Sequence, residues 1–220
     1  MGNKKNIMGK IKSALISVSD KSELKPILQI LKKNNIKLIS SGGTFKAIRK
    51  LKFKCLEISD FTGFNEILSG RVKTLHPKIH AGILNKRNNK SHLKDLKNNK
   101  FENIDLVIVN FYPFEKILNQ TKNHNKIIEN IDIGGPTLVR AAAKNYHDVT
   151  VITSPEQYSG LIDELKLYKG STSLMFRKKM SQIAFAETAY YDALISNYFN
   201  RVSRTYFPQK KIINADLIEK

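Results

Sequence analysis

The chain reads as an α/β protein, a three-layer domain with a mainly parallel sheet and helices on both faces. Short apolar runs of strand length recur along it. Stretches with apolar residues at three- and four-residue spacing separate them. One of those strands passes through a glycine loop directly into a helix. Such alternation places successive strands side by side in parallel, with helices as the crossovers. The 220 residues and 41% hydrophobic content suit one packed domain with an appendage at most.

Met1 to Lys12 is Lys-rich and reads as a flexible basic tail; it lacks the apolar segment of a secretory signal. The domain is expected over 13–200. Ser13 to Ser19 is an apolar run, a buried strand, and Asp20 or Ser22 is placed to cap the helix that carries Leu24, Ile27, Leu28 and Leu31. Ile36 to Ser40 is a second strand. It leads through Ser41-Gly42-Gly43-Thr44 into a helix carrying Phe45, Ile48 and Leu51. Cys55 to Ile58 is a third strand. Phe61 to Ile79 is loop-like, with a short helix at 66–68. Lys86 to Lys100 is polar, an exposed insertion or a short helix. Asp105 to Asn110 is the clearest buried strand and ends in the turn Asn110-Phe111-Tyr112-Pro113-Phe114. Ile127 and Ile128 belong to a short helix. A helix follows Gly134-Gly135-Pro136 and stops at Asn145, with Pro136 in its first turn. Val149 to Thr153 is a strand, and Ser154-Pro155-Glu156 starts a helix with Tyr158, Leu161, Ile162 and Leu165 inward. Leu174 to Phe199 is one long helix or two joined ones. Its aromatic residues Phe185, Tyr190, Tyr191, Tyr198 and Phe199 are assigned to packing. Residues 201–220 read as a tail.

The formal charge of +19 attracts polyanions, yet 31 of the 38 basic residues are Lys. Base readout favours Arg, the lysines are scattered, and no nucleic-acid-binding signature is present. A solvated Lys surface is therefore preferred to a nucleic-acid partner. No apolar run reaches transmembrane length. The single cysteine, Cys55, excludes an internal disulfide and suits a reducing cytoplasm. His76 and His80 stand four apart, but Pro77 between them and the lack of further ligands argue against a metal.

Taken singly, each polar motif has an ordinary reading. Ser41 to Thr44 can be a tight turn, and Asp132 and Lys144 can serve only to cap and complement one helix. Taken together they are more specific. Glycine loops at helix N-termini suit anions, and Arg71, Lys73 and Thr74 form a phosphate or oxyanion cluster. In order, Ser17 to Lys21, Ser40 to Thr44, Gly70 to Pro77, Asn110 to Phe114 and Ile131 to Asn145 closely resemble the IMP cyclohydrolase half of the bifunctional AICAR transformylase/IMP cyclohydrolase family. The resemblance runs from about Ala14 to Phe199.

That resemblance implies a methylglyoxal synthase-like, Rossmann-like fold. It also implies closure of the formyl-AICAR ring to inosine monophosphate (IMP), without metal or redox cofactor. It places Ser19, Asp20, Lys21, Ser41, Gly42, Gly43, Thr44, Arg71, Val72, Thr74, Val109, Asn110, Ile133, Gly134 and Gly135 against the nucleotide. It places Lys73, Tyr112, Asp132 and Lys144 at the chemistry. Lys144 would move the proton, and Asp132 would orient the attacking amide or share its proton. Lys73, Tyr112 and N–H groups near Gly134 would hold the oxyanion. The expected partners are the nucleotide substrate, its product and a second copy of the chain. The transformylase half is absent from the sequence, so formyl transfer from a folate is not expected of this chain alone. The alternatives are a fold-related enzyme such as methylglyoxal synthase and a basic nucleic-acid-binding protein. Ala81 departs from the family's glycine, and Ser41 from its threonine.

One expectation conflicts with another. A continuous helix from Gly134 to Asn145 would hold Asp132 and Lys144 roughly 15–18 Å apart, at 1.5 Å per residue. The helix must bend, or Lys144 must come from a second subunit.

Overall fold

Five parallel strands frame the domain, and their order fixes where a ligand can sit. The computed structural model describes residues 8–202. In chain order the elements are β1 (Gly9–Lys10), β2 (Ser13–Val18), α1 (Leu24–Lys33), β3 (Lys37–Ser40), α2 (Gly42–Lys50), β4 (Leu56–Glu57), α3 (Ile58–Thr62) and α4 (Pro77–Leu84). Then come α5 (Lys90–Asn98), β5 (Leu106–Asn110), α6 (Phe114–Gln120), α7 (His124–Glu129), α8 (Gly134–Lys144), β6 (Thr150–Ile152), α9 (Tyr158–Leu167), β7 (Ser171–Thr172) and α10 (Leu174–Val202).

The large sheet runs β4-β3-β2-β5-β6, all parallel. Ala14 pairs with Leu38 on one side and Leu106 on the other. The chain therefore builds outward from β2 through β3 to β4, then returns to the far side of β2 for β5 and β6. Right-handed crossovers running in opposite directions put α1 on one face and α8 on the other. The crevice between the carboxyl ends of β2 and β5 is the switch point where open α/β sheets bind ligands.

The strand sequences explain their place. Leu106 to Val109 are essentially inaccessible, as are Ala14, Leu15 and Ile16. Continuous apolar runs suit central strands covered on both faces. Helix α1 buries Leu24, Ile27, Leu28, Ile30 and Leu31 and packs against α9, whereas α8 and α10 pack together over β5 and β6.

Several sequence expectations need adjustment. The tail expected over 1–12 does not hold for its last residues: Gly9–Lys10 pair antiparallel with Ser171–Thr172, and Ile11 is buried. The Ile11 N–H donates to the Gly170 carbonyl (3.0 Å), and the carboxylate of Asp105 accepts the N–H groups of Lys12 (2.9 Å) and Ser13 (3.3 Å). Residues 1–7 and 203–220, where most of the two expected tails fall, lie outside the described residues. The third strand stops at Glu57, because Ile58 already opens α3. The expected helix at 66–68 is instead a single 3-10 turn at Leu68–Gly70. Residues 77–79, expected in a loop, open helix α4: Pro77 occupies its first turn, and the ring Nδ1 of His76 caps it by accepting the Lys78 N–H at 3.1 Å. Neither Asp20 nor Ser22 caps α1; Asp20 Oδ1 accepts the Ser22 N–H (2.8 Å) in a turn of its own.

Arg177 closes the small sheet onto the large one. It is 1% exposed, and its guanidinium donates to the carbonyls of Tyr146 (2.9 Å), His147 (2.9 Å) and Thr172. A side chain at Gly9 would collide with it. Arg177→Met should leave those carbonyls unpaired and cost on the order of 3 kcal/mol. That corresponds to a thermal midpoint lower by about 6–12 °C for a domain of this size, measurable by calorimetry.

Candidate active site

Strand β2 ends at Val18, and Ser19-Asp20-Lys21 turns over the carboxyl edge. The side chain of Asn110, at the end of β5, locks that turn across the switch point. Its Oδ1 accepts the N–H groups of Ser19 (2.6 Å) and Asp20 (2.9 Å), and its Nδ2 donates to the Asp20 carbonyl (3.0 Å). Thr44 performs a similar task one strand over. Its buried hydroxyl accepts the Val18 N–H and donates to the Val18 carbonyl, both at 3.0 Å. Val109 is 1% exposed, so it can present only backbone. Asn110, Thr44 and Val109 thus shape the edge, and both polar ends of the Asn110 side chain are already engaged.

Ser41 precedes α2 in an extended conformation, and Gly42 follows at φ +53°, a left-handed geometry that favours glycine. Two cations converge on this helix start. A Cβ built on Gly43 would lie 4.0 Å from the Lys21 ammonium, and one on Gly42 would lie 3.7 Å from that of Lys73. Lys21 Nζ also donates to the Ser19 carbonyl at 3.0 Å, and Lys73 Nζ pairs with Glu66 at 2.9 Å. Both lysines retain further donors, and the helix N-terminus adds its partial positive charge.

The segment 70–74 links this start to a second one. Arg71 forms a bidentate pair with Glu129 at the end of α7 (3.1 and 2.9 Å). Val72 makes an isolated bridge with Ile67. The Thr74 hydroxyl sits so close to Gly134 that a Cβ there would lie 2.7 Å from its oxygen. Behind it, His80 in α4 hydrogen-bonds the Thr74 backbone, and burial pushes the imidazole below its ordinary pKa.

Asp132 stands at the head of α8. Its Oδ1 accepts the Gly135 N–H at 2.8 Å, the Gly134 N–H adds to the same carboxyl, and the Asp132 N–H donates to the Tyr191 hydroxyl at 2.8 Å. Burial pushes the carboxyl above the usual range, against the pull of those two N–H groups. Any side chain at Gly135 would run into it. The N–H groups expected to serve an oxyanion near Gly134 are therefore committed to Asp132, because a carboxylate one turn before a helix is the stronger local acceptor. Ile133 (58% exposed) and Tyr112 (54% exposed) project from the same edge.

Lys144 does not join this group. Helix α8 is continuous from Gly134 to Lys144, so Lys144 is exposed at its far end, by the amino edge of the sheet. Asn145 stops the helix there as the sequence predicts, its side chain donating to the carbonyls of Ile83 (2.8 Å) and Asn85 (2.9 Å). Sequence reasoning missed Glu66, Glu129 and Tyr191. The two glutamates carry no local signal, and Tyr191 is 59 residues from its partner. Among the described residues no cluster of His, Cys, Asp and Glu is arranged to hold a metal ion, and no helix is long and apolar enough to cross a membrane.

Comparison with known proteins places the chain among relatives. A family model described as MGS-like domain matches residues 23–137, and one described as AICARFT/IMPCHase bienzyme matches 142–219. The bifunctional purine biosynthesis protein PurH of Acetivibrio thermocellus is 48% identical over 211 residues, covering 95% of this chain and 41% of the relative. That of Prochlorococcus marinus is 54% identical over 187 residues, 84% of this chain and 36% of the relative. The chain thus spans about 40% of the length of the curated relatives it matches. The crystal structure of ForH superposes with a TM-score of 0.77 at 28% identity, over 86% of this chain and 100% of that one.

Proposed function

The chain belongs to the MGS-like domain family, and from that premise we propose that it is an IMP cyclohydrolase of purine biosynthesis. The reaction closes 5-formamidoimidazole-4-carboxamide ribonucleotide to IMP and water. The match of 142–219 to the bienzyme model favours this over methylglyoxal synthase. The observation that carries the reading is the pairing of two helix starts on one crevice. Lys21 and Lys73 stand at the first, and a half-buried carboxyl, Asp132, stands at the second.

The first start suits the 5′-phosphate: glycine backbone, two ammonium groups and a helix dipole. Ser19, Asp20 and Ser41 border it, Thr74 and Arg71 lie towards the second start, and together they frame the ribose and base. In the reaction the carboxamide nitrogen attacks the formyl carbon. A C–N bond forms, the formyl C=O becomes a C–O single bond, and that oxygen leaves as water after taking up two protons. One comes from the attacking nitrogen and the other from the formamido nitrogen, whose electron pair forms the ring C=N bond as the C–O bond breaks. Asp132 fixes the attacking amide and takes up its proton. Lys73 and Tyr112 supply charge and a hydroxyl to the developing oxyanion. Lys144 completes the proton transfer, and because α8 carries it away from Asp132, it does so from a second copy of the chain. The working unit is then a homodimer with two shared sites.

The direct test is conversion of synthetic formyl-AICAR to IMP, followed by ultraviolet absorbance, without metal or folate. Rapid conversion well above the spontaneous rate is expected. A folded protein that leaves the rate at its spontaneous level excludes the reading.

A further inference from the structure

Resting on the cyclohydrolase reading, we propose that Tyr191 is a positioning residue for the reaction, holding Asp132 at the head of α8 through its hydroxyl. Tyr191 lies midway along α10, 4% exposed. Its ring centre is 5.1 Å from that of Phe111 and 6.1 Å from that of Phe114. Both phenylalanines follow directly from the Asn110 turn. The hydroxyl accepts the Asp132 N–H at 2.8 Å, so this amide is served by a side chain from α10.

Asp132 is consequently held from both sides. Its carboxyl is bound by the Gly134 and Gly135 N–H groups, and its backbone by Tyr191. The same ring packs against the loop that carries Asn110 and Tyr112, so one side chain fixes the spacing of two predicted site segments. Burial pushes the phenol up to about 12, which keeps it a neutral acceptor at any working pH. A phenylalanine would fill the space equally well; the hydroxyl contributes only the hydrogen bond. Small displacements of a reacting group lower rates steeply.

Tyr198 provides the internal comparison. It lies two turns further along the same helix, is also buried, and bonds the His124 ring at 2.8 Å, away from Asp132. The experiment uses the full chain as wild type, Tyr191→Phe and Tyr198→Phe, with steady-state cyclisation and amide hydrogen exchange as readouts. Tyr191→Phe should lower kcat about tenfold with KM changed by less than about twofold. It should also accelerate exchange at the Asp132 amide. Tyr198→Phe should do neither. An unchanged kcat in Tyr191→Phe, or an equal loss in Tyr198→Phe, overturns the proposal. Should the wild type itself not cyclise the substrate, the exchange arm decides alone: acceleration at Asp132 upholds the anchor, and none overturns it.

Discussion

Mixing Lys144→Ala protein with Asp132→Ala protein is expected to restore cyclisation that each variant has largely lost. Each single variant should lose about 10²-fold or more, the range for a positioned proton-transfer group. The expectation of rescue follows from α8. Eleven residues run without a break from Gly134 to Lys144, and at 1.5 Å per residue they hold the two side chains roughly 15–18 Å apart. A lysine reaches about 6 Å along its stem, four helix residues' worth of rise. The two groups cannot meet within one subunit while the helix is intact. In a two-fold dimer each site would take Asp132 from one copy and Lys144 from the other. A mixed dimer then has one intact site and one doubly impaired. Random exchange makes half the dimers mixed, so recovery should approach about a quarter of wild-type activity in a symmetric pair. The measurement is the cyclisation rate after denaturing and refolding an equimolar mixture. Activity that stays at the single-variant level places the whole site within one subunit, and undiminished activity in Lys144→Ala removes Lys144 from the chemistry.

The separation of Asp132 from Lys144 was legible in the sequence, because helix rise is a local property and Gly-Gly-Pro and Asn145 marked both helix ends. The central strands were legible for a similar reason: Leu106 to Val109 are apolar without interruption, as only a doubly covered strand can be. Helix α4 was not. Pro77 between two histidines reads as a breaker, yet at the first helical position its missing N–H costs nothing. What decides between the two is the His76 ring capping Lys78, a side-chain contact that spacing alone does not announce. The pairing of Gly9 with Thr172 and the ties of Arg177 to Tyr146 and His147 span long sequence gaps. They arise from tertiary packing. The site shows the same division. The glycines, Lys21, Lys73 and Asp132 were visible as motif residues. That Asn110 and Thr44 spend their polar atoms on the Ser19 turn and Val18 required coordinates, as did the commitment of the Gly134 and Gly135 N–H groups to Asp132.

That commitment gives Asp132 a distinctive titration. Burial raises its pKa, and the two N–H groups recover only part of the shift. If the carboxylate is the form that takes up the amide proton, kcat falls tenfold per pH unit below the raised pKa. The acid limb then lies above the ordinary carboxylate value of about 3.9. Asp132→Asn keeps the oxygen that accepts from Gly135 but cannot take a proton. It should flatten that limb at a rate lower by about 10²-fold. Stability should move the other way. A carboxyl whose folded pKa exceeds its unfolded pKa favours folding while protonated, and that contribution disappears as pH rises through the folded value. The thermal midpoints of wild type and Asp132→Asn should therefore separate as pH rises through the folded pKa, the asparagine variant becoming relatively more stable at neutral pH. A wild type that gains stability over Asp132→Asn across this range would show the carboxylate to be stabilised where it stands. Asp132 would then be a helix cap, and the proton acceptor would have to be sought elsewhere on the crevice. The predicted opposite pattern, activity and stability changing in opposite directions with one proton, is what a buried group kept for chemistry produces and a capping group does not.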